Sequence, residues 1–160
     1  MNDGTQIKVV EPGQGECYSV VGDQYRFLAV SGDTGGSYAI WHSVVLPGGG
    51  PPPHVHSREQ EGFYVLKGEM TFYAPGEIRR AGPGTFINLP PGVPHRFQNE
   101  TDTPAEMLIL VAPGGFEKMF FEVGAHLEGP DVVPSPPTEE EIEKLVRVSE
   151  KYGVTIGVEI

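Results

Sequence analysis

A chain of 160 residues with 38% apolar content has the size of one domain and can bury a core without disulfide or metal staples. Its formal charge of -11, from 22 acids against 11 bases, and the lack of any basic run longer than Arg79-Arg80 argue against nucleic acid or an anionic membrane surface as partners, since either needs an electropositive footprint. A lone cysteine, Cys17, excludes an internal disulfide and any CxxC redox or zinc signature, and no apolar run approaches the length of a membrane span.

The start, MNDGTQIKVV, has no basic segment followed by an apolar one, so a soluble, cytoplasmic protein is expected. The 22 glycines and 16 prolines, about a quarter of the chain, are spread between apolar runs and read as turns joining many short strands. Strands are predicted at Ile7–Val10, Tyr18–Val21, Tyr25–Val30 and Ser37–Leu46; the last is apolar on both faces, so that alternation does not settle its inward side and one face is expected to be covered by another strand or another subunit. Pro47–Pro53 is stiff and delivers the chain to a strand at His54–His56. A hairpin then joins Gly62–Tyr73 to Ile78–Ala81, Thr85–Leu89 and His95–Asn99 flank a Pro-Gly turn, and Glu106–Ala112 closes the β body. After Pro113 the period changes: Phe116, Met119, Phe120 and Val123 recur at helical spacing. Thr138 to Tyr152 reads as a second helix, opened by a Thr138/Glu141 capping box and closed at Gly153. The predicted organisation is a β body over 1–124, with its core at 25–113 and a short helix at 116–123, followed over 125–160 by a proline-rich connector and a helix at 138–152.

Chemistry concentrates in GGGPPPHVHSREQEGFYVLKG, Gly48 to Gly68. His54 and His56 alternate with Val55, so on a strand both imidazoles point to one side, and Glu61 follows at the head of a β-prone run. Nitrogen and hard oxygen donors together suit a divalent first-row metal, and a fourth donor is His95, set by GTFINLPPGVPHRFQN at the start of a strand. Glu59 is the rival carboxylate; Glu61 is preferred for its spacing to Gly68.

These residues resemble the two motifs of the cupin superfamily: Gly48, His54, His56, Glu61 and Gly68 fit the first, and Gly84, Pro90, Gly92, His95 and Asn99 the second. Asp33-Thr-Gly-Gly36, the first motif and APGGFEKMFFEVG are further similar to small single-domain quercetin 2,3-dioxygenase-like cupins. The resemblance implies a mainly β, jelly-roll (double-stranded β-helix) barrel with a C-terminal helical appendage, a metal near one mouth and a homodimer. It also suggests that Glu61 doubles as the general base, the alternative being a plain ligand.

The expected ligand set is therefore His54, His56, Glu61 and His95, holding iron, manganese, nickel, cobalt or zinc; a decayed site in a structural or binding cupin is the alternative. Neutral imidazoles are required, so metal loss below about pH 5 to 6 is expected. Phe63, Val65 and Phe97 share parity with Glu61 or His95 and would wall a pocket for a small-molecule substrate, unless they are simply core. His42 reads as a surface or hydrogen-bonded histidine, His126 as solvated and Cys17 as a small buried hydrophobe. The function expected is a metal-dependent dioxygenase acting on a hydroxylated aromatic or enol-type molecule, with a non-catalytic binding cupin and an oxygen-independent isomerase or lyase as alternatives.

Overall fold

The computed structural model describes residues 5–160. In chain order it contains β1 (Cys17–Val20), β2 (Asp23–Ala29), β3 (Ala39–Val45), β4 (His54–His56), β5 (Gln60–Lys67), β6 (Met70–Ala74), β7 (Glu77–Ala81), β8 (Phe86–Leu89), β9 (Arg96–Gln98), β10 (Ala105–Ala112), α1 (Lys118–Val123), β11 (Ala125–Leu127), α2 (Glu139–Ser149), a 3-10 turn (Glu150–Tyr152) and β12 (Val154–Ile156). A seven-stranded sheet runs β11-β1-β2-β3-β10-β5-β8, and it is faced by a three-stranded sheet β7-β6-β9 and a pair β12-β4. All pairings are antiparallel, as the jelly roll requires.

Strict alternation on β3 and β10 shows which face is inside. Ala39, Trp41, Ser43 and Val45 point inward and meet Ala105, Met107, Ile109 and Val111 across the ladder, while Ile40, His42 and Val44 face out. The predicted strand Gly62–Tyr73 is two strands, because Gly68 turns the chain from the large sheet into the small one. Its φ of +73° is left-handed, and a Cβ there would come within 2.9 Å of the Ala105 backbone. Thr85–Leu89 and His95–Asn99 flank their turn as expected, yet pair with β5 and β6 rather than with each other.

Ile7–Val10 forms no strand: Ile7 and Val9 are exposed and no strand among the described residues pairs with them, so β-branching without a ladder partner does not suffice. In α2 the capping box is present, with Thr138 Oγ1 accepting from Glu141 N, an interaction of about 1 kcal/mol. Two strands fall where none was predicted. Ala125–Leu127 of the connector pairs with β1, and β12 pairs with β4, so the chain after α2 returns to the histidine strand. Among the described residues, no helix is long and apolar enough to cross a membrane.

Candidate metal centre

Backbone pairing brings the two motifs together. His54 and His95 form a bridge, His54 N donating to His95 O at 2.9 Å and His95 N to His54 O at 2.8 Å, and Gly92 N donates to His56 O. Gly50, which leads into β4, has a φ of +127° and passes so close to Phe97 O that a Cβ would lie 2.1 Å from it. Asn99 is structural: its amide donates to Val45 O and Thr103 O, and its Oδ1 accepts from Thr101. Glu61 enters from β5, opposite Val111 on one side and Leu89 on the other.

The four expected ligands converge. One donor atom from each of His54, His56, Glu61 and His95 lies within 4.8 Å of the others, and all four residues are buried. Each imidazole is held from behind at Nδ1: His54 by Pro52 O at 3.0 Å, His95 by Val93 O at 2.9 Å and His56 by Glu59 Oε2 at 3.3 Å. An acceptor at Nδ1 fixes the proton there and leaves Nε2 as the donor lone pair. His56 Nε2 is buried without a hydrogen-bond partner among the described residues, although it sits 3.1 Å from Glu61 Oε2. An orphaned imidazole nitrogen, two more histidines with fixed tautomers and one carboxylate fit a divalent transition metal, and the lack of thiolate sets the site apart from most structural zinc sites.

The charges of the cluster are coupled. Burial, reinforced by the neighbouring His95 and His56, outweighs the pull of Glu61 and lowers His54 to about 4. For His56 burial works against the charge, but the Glu61 and Glu59 carboxylates outweigh it and push it up to about 9. Glu61, also opposed by burial, is held well below the usual carboxylate range by His56 and His95. Before an ion binds, His56 is therefore an imidazolium at neutral pH, paired to an ionised Glu61. Binding expels that proton, so apparent metal affinity should rise about tenfold per pH unit from 7 to 9 and level off above, the ligand-competent neutral form being the one favoured by high pH. On that ground a bound metal should be lost at a higher pH than the about 5 to 6 set by ordinary imidazoles. Competition with a chromophoric chelator at several pH values checks this; a flat profile between 7 and 9 would contradict it.

Glu59, the rival carboxylate of the sequence, stands behind His56 instead of beside the other donors. Glu59→Gln should lower metal affinity about ten- to hundredfold with the fold intact, as measured by metal titration. His42 faces outward and bonds Glu106 Oε2 at 3.0 Å, His126 is exposed on β11 and Cys17 is buried.

A cavity adjoins the cluster, with His54, His56 and Glu61 in its wall. Phe97 is in that wall, whereas Phe63 and Val65 are fully buried elsewhere in the core, Phe63 edge-on to Phe72 and Phe97. Parity gave the inward face of each strand but not the height along the barrel. Wall residues that parity did not reach are Tyr25, Trp41 and Asp23 on β2 and β3, Phe116 just before α1 and Phe120 in it, and Val154 on β12. Burial raises the Asp23 carboxyl to about 7, against a hydrogen bond from Gly50 N that favours its anion. An acid whose folded value is raised costs stability as pH climbs from its unfolded value of 3.8 through 7, because the unfolded chain ionises first. Asp23→Asn, which keeps an acceptor for Gly50 N, should therefore be the more stable protein at pH 8, by up to about 4 kcal/mol, and lose that advantage below pH 4 in thermal melts.

A double-stranded β-helix with three histidines and a glutamate gathered inside it is the arrangement of a cupin, and residues 41–111 of the chain match the cupin domain. By sequence the chain is similar to quercetin 2,3-dioxygenases. It is 30% identical over 136 residues to a quercetin 2,3-dioxygenase of Bacillus subtilis, covering 84% of this chain and 40% of that protein. To a quercetin 2,3-dioxygenase of Aspergillus japonicus it is 29% identical over 124 residues, covering 71% and 34%. The chain thus spans about two fifths or less of the curated relatives it matches. Its fold is shared with a protein of Thermotoga maritima described as a predicted oxalate decarboxylase, at a TM-score of 0.60 and 17% identity, covering 68% of this chain and 99% of the other.

Proposed function

We propose that the chain is a metal-dependent dioxygenase acting on a small hydroxylated aromatic or enol-type molecule. The observation that carries this reading is the convergence of His54, His56, Glu61 and His95, three of which, His54, His56 and Glu61, stand in the wall of a mainly apolar cavity. A bound transition metal supplies Lewis acidity toward a substrate oxygen and, if it is redox-active, chemistry with dioxygen. His54, His56 and His95 hold it through Nε2, with Glu61 as the fourth ligand.

Glu61 also takes the proton of the substrate hydroxyl. Both histidine contacts fall on its Oε2, which makes Oε1 the atom offered to that proton. Tyr25 and Trp41 fix the substrate from the β2–β3 side, while Phe97, Ile109, Phe116 and Phe120 keep bulk water away. The outer face of the large sheet exposes Tyr64, Leu66 and Phe86, with Tyr64 opposite Phe86 across the ladder, which supports the homodimer expected of such proteins.

Oxygen-electrode assays of the metal-loaded chain test the reaction, with catechols, flavonols and small enol-forming hydroxy-carbonyls as substrates. Oxygen uptake that depends on both metal and substrate is expected. Turnover that is unaffected by removing oxygen would make the protein a metal-dependent isomerase or lyase instead, and metal binding without turnover a binding cupin.

A further inference from the structure

The cavity beside the histidine cluster has a volume of about 50 Å³. That is roughly a third of the ~150 Å³ of a benzene-binding cavity and far below the ~300–1,000 Å³ of sites for drug-sized ligands. What makes it small is a roof that no cupin motif of this sequence contains. Met119 and Phe120 of α1, Leu145 of α2, and Val154 and Ile156 of β12 all border it. In the β12–β4 ladder Val154 lies opposite His56 and Ile156 opposite His54. Directly paired residues project to the same face, so this short strand sends its two apolar side chains to the side of the metal-binding imidazoles.

The roof is fastened rather than draped. Ser57 N donates to Gly153 O at 2.9 Å and Gly157 N to Pro53 O at 2.8 Å, one at each end of β12. Glu122 of α1 accepts from Lys151 Nζ at 2.8 Å and from the Tyr152 hydroxyl at 2.6 Å, tying α1 to the 3-10 turn that follows α2. Gln24 Nε2 on β2 donates to Pro130 O and Val132 O of the connector that leads into α2. Inside, the wall is apolar apart from the cluster, the aromatic Tyr25 and Trp41, and Asp23, whose buried Oδ1 has no hydrogen-bond partner among the described residues.

We propose that the roof of α1, α2 and β12 restricts the site to ligands more compact than a benzene ring, of about six non-hydrogen atoms or fewer: two- or three-carbon hydroxy acids, hydroxy-carbonyls or their enediols, which offer two oxygens as donors. Single aromatic rings and flavonols are shut out. This rests on the metal-binding reading above and narrows its substrate to the aliphatic, enol-forming kind. Asp23 is the group placed to meet a ligand hydroxyl turned away from the metal.

The test uses the full chain loaded with one equivalent of Co²⁺ under argon. Glycolate, dihydroxyacetone, catechol and quercetin are titrated in turn. Binding is followed by the visible cobalt spectrum, by the fluorescence of Trp41, the one tryptophan of the sequence, and by calorimetry. Glycolate or dihydroxyacetone should saturate, catechol should bind at least tenfold more weakly, and quercetin should give no saturable signal. Leu145→Ala and Ile156→Ala, on separate elements of the roof, should each tighten catechol at least tenfold and leave glycolate within threefold. Catechol or quercetin binding to the cobalt-loaded wild type as tightly as glycolate, no saturation by either compact ligand, or no change in catechol affinity in both folded variants would overturn the proposal while leaving the metal site standing. A chain that takes up no cobalt overturns both.

Discussion

His54→Ala, His56→Ala and His95→Ala should each bind a divalent transition metal at least about a hundredfold more weakly than the wild type, beyond the ten- to hundredfold expected for removing a residue that only orients a ligand. Each loses one of three Nε2 donors whose tautomer is already set by Pro52 O, Glu59 or Val93 O. The fold should survive, because the hydrogen bonds that join the two motifs at His54 and His95 are backbone to backbone. The His56 and His95 rings also pack against Phe116 and Phe63, so those two variants should lose some stability while keeping the fold. His42→Ala is the matched control: it breaks the contact with Glu106 on the outer face and should leave metal binding unchanged. Metal titration of the four variants, with circular dichroism to confirm folding, gives the comparison. Equal loss in all four, or no loss in the three cluster variants, would place the metal elsewhere.

Glu61→Gln is the second large effect. Glutamine keeps the shape and an oxygen donor but cannot take a proton, so turnover measured at saturating metal should fall about a hundred- to ten-thousandfold, the range of general-base catalysis. KM should change far less, since the three histidines still hold the ion against which substrate binds. The variant also loses the charge that holds His56 as an imidazolium, so His56 should titrate lower and metal binding should release less than one proton at pH 7. Calorimetry in two buffers of different ionisation enthalpy reads that proton count. Turnover within tenfold of wild type would reduce Glu61 to a plain ligand.

The two motifs were legible because their signals are local. The His54-Val55-His56 alternation and the turn chemistry of Gly92, which puts its N–H on His56 O, act within a few residues and fix where each donor points. The long-range parts were not. Val154–Ile156 is a three-residue strand with no period of its own, and its role exists only through pairing with β4. The spacing to Gly68 picks Glu61 over Glu59 as the ligand, but only the fold shows that the buried Glu59 supports His56 from behind. Phe63 and Phe97 share an inward parity, but their depth in the barrel depends on strand tilt and register, so one reaches the cavity wall and the other does not. Ile7–Val10 failed in the opposite direction, carrying β propensity without a neighbour to pair with.

Elemental analysis of the chain purified without chelators shows whether His54, His56, Glu61 and His95 form a metal centre. About one equivalent of a transition metal per chain is expected, native or taken up on addition, and its loss in the His56→Ala protein. Less than about a tenth of an equivalent, with none taken up when iron, manganese, nickel, cobalt or zinc is supplied, would contradict it.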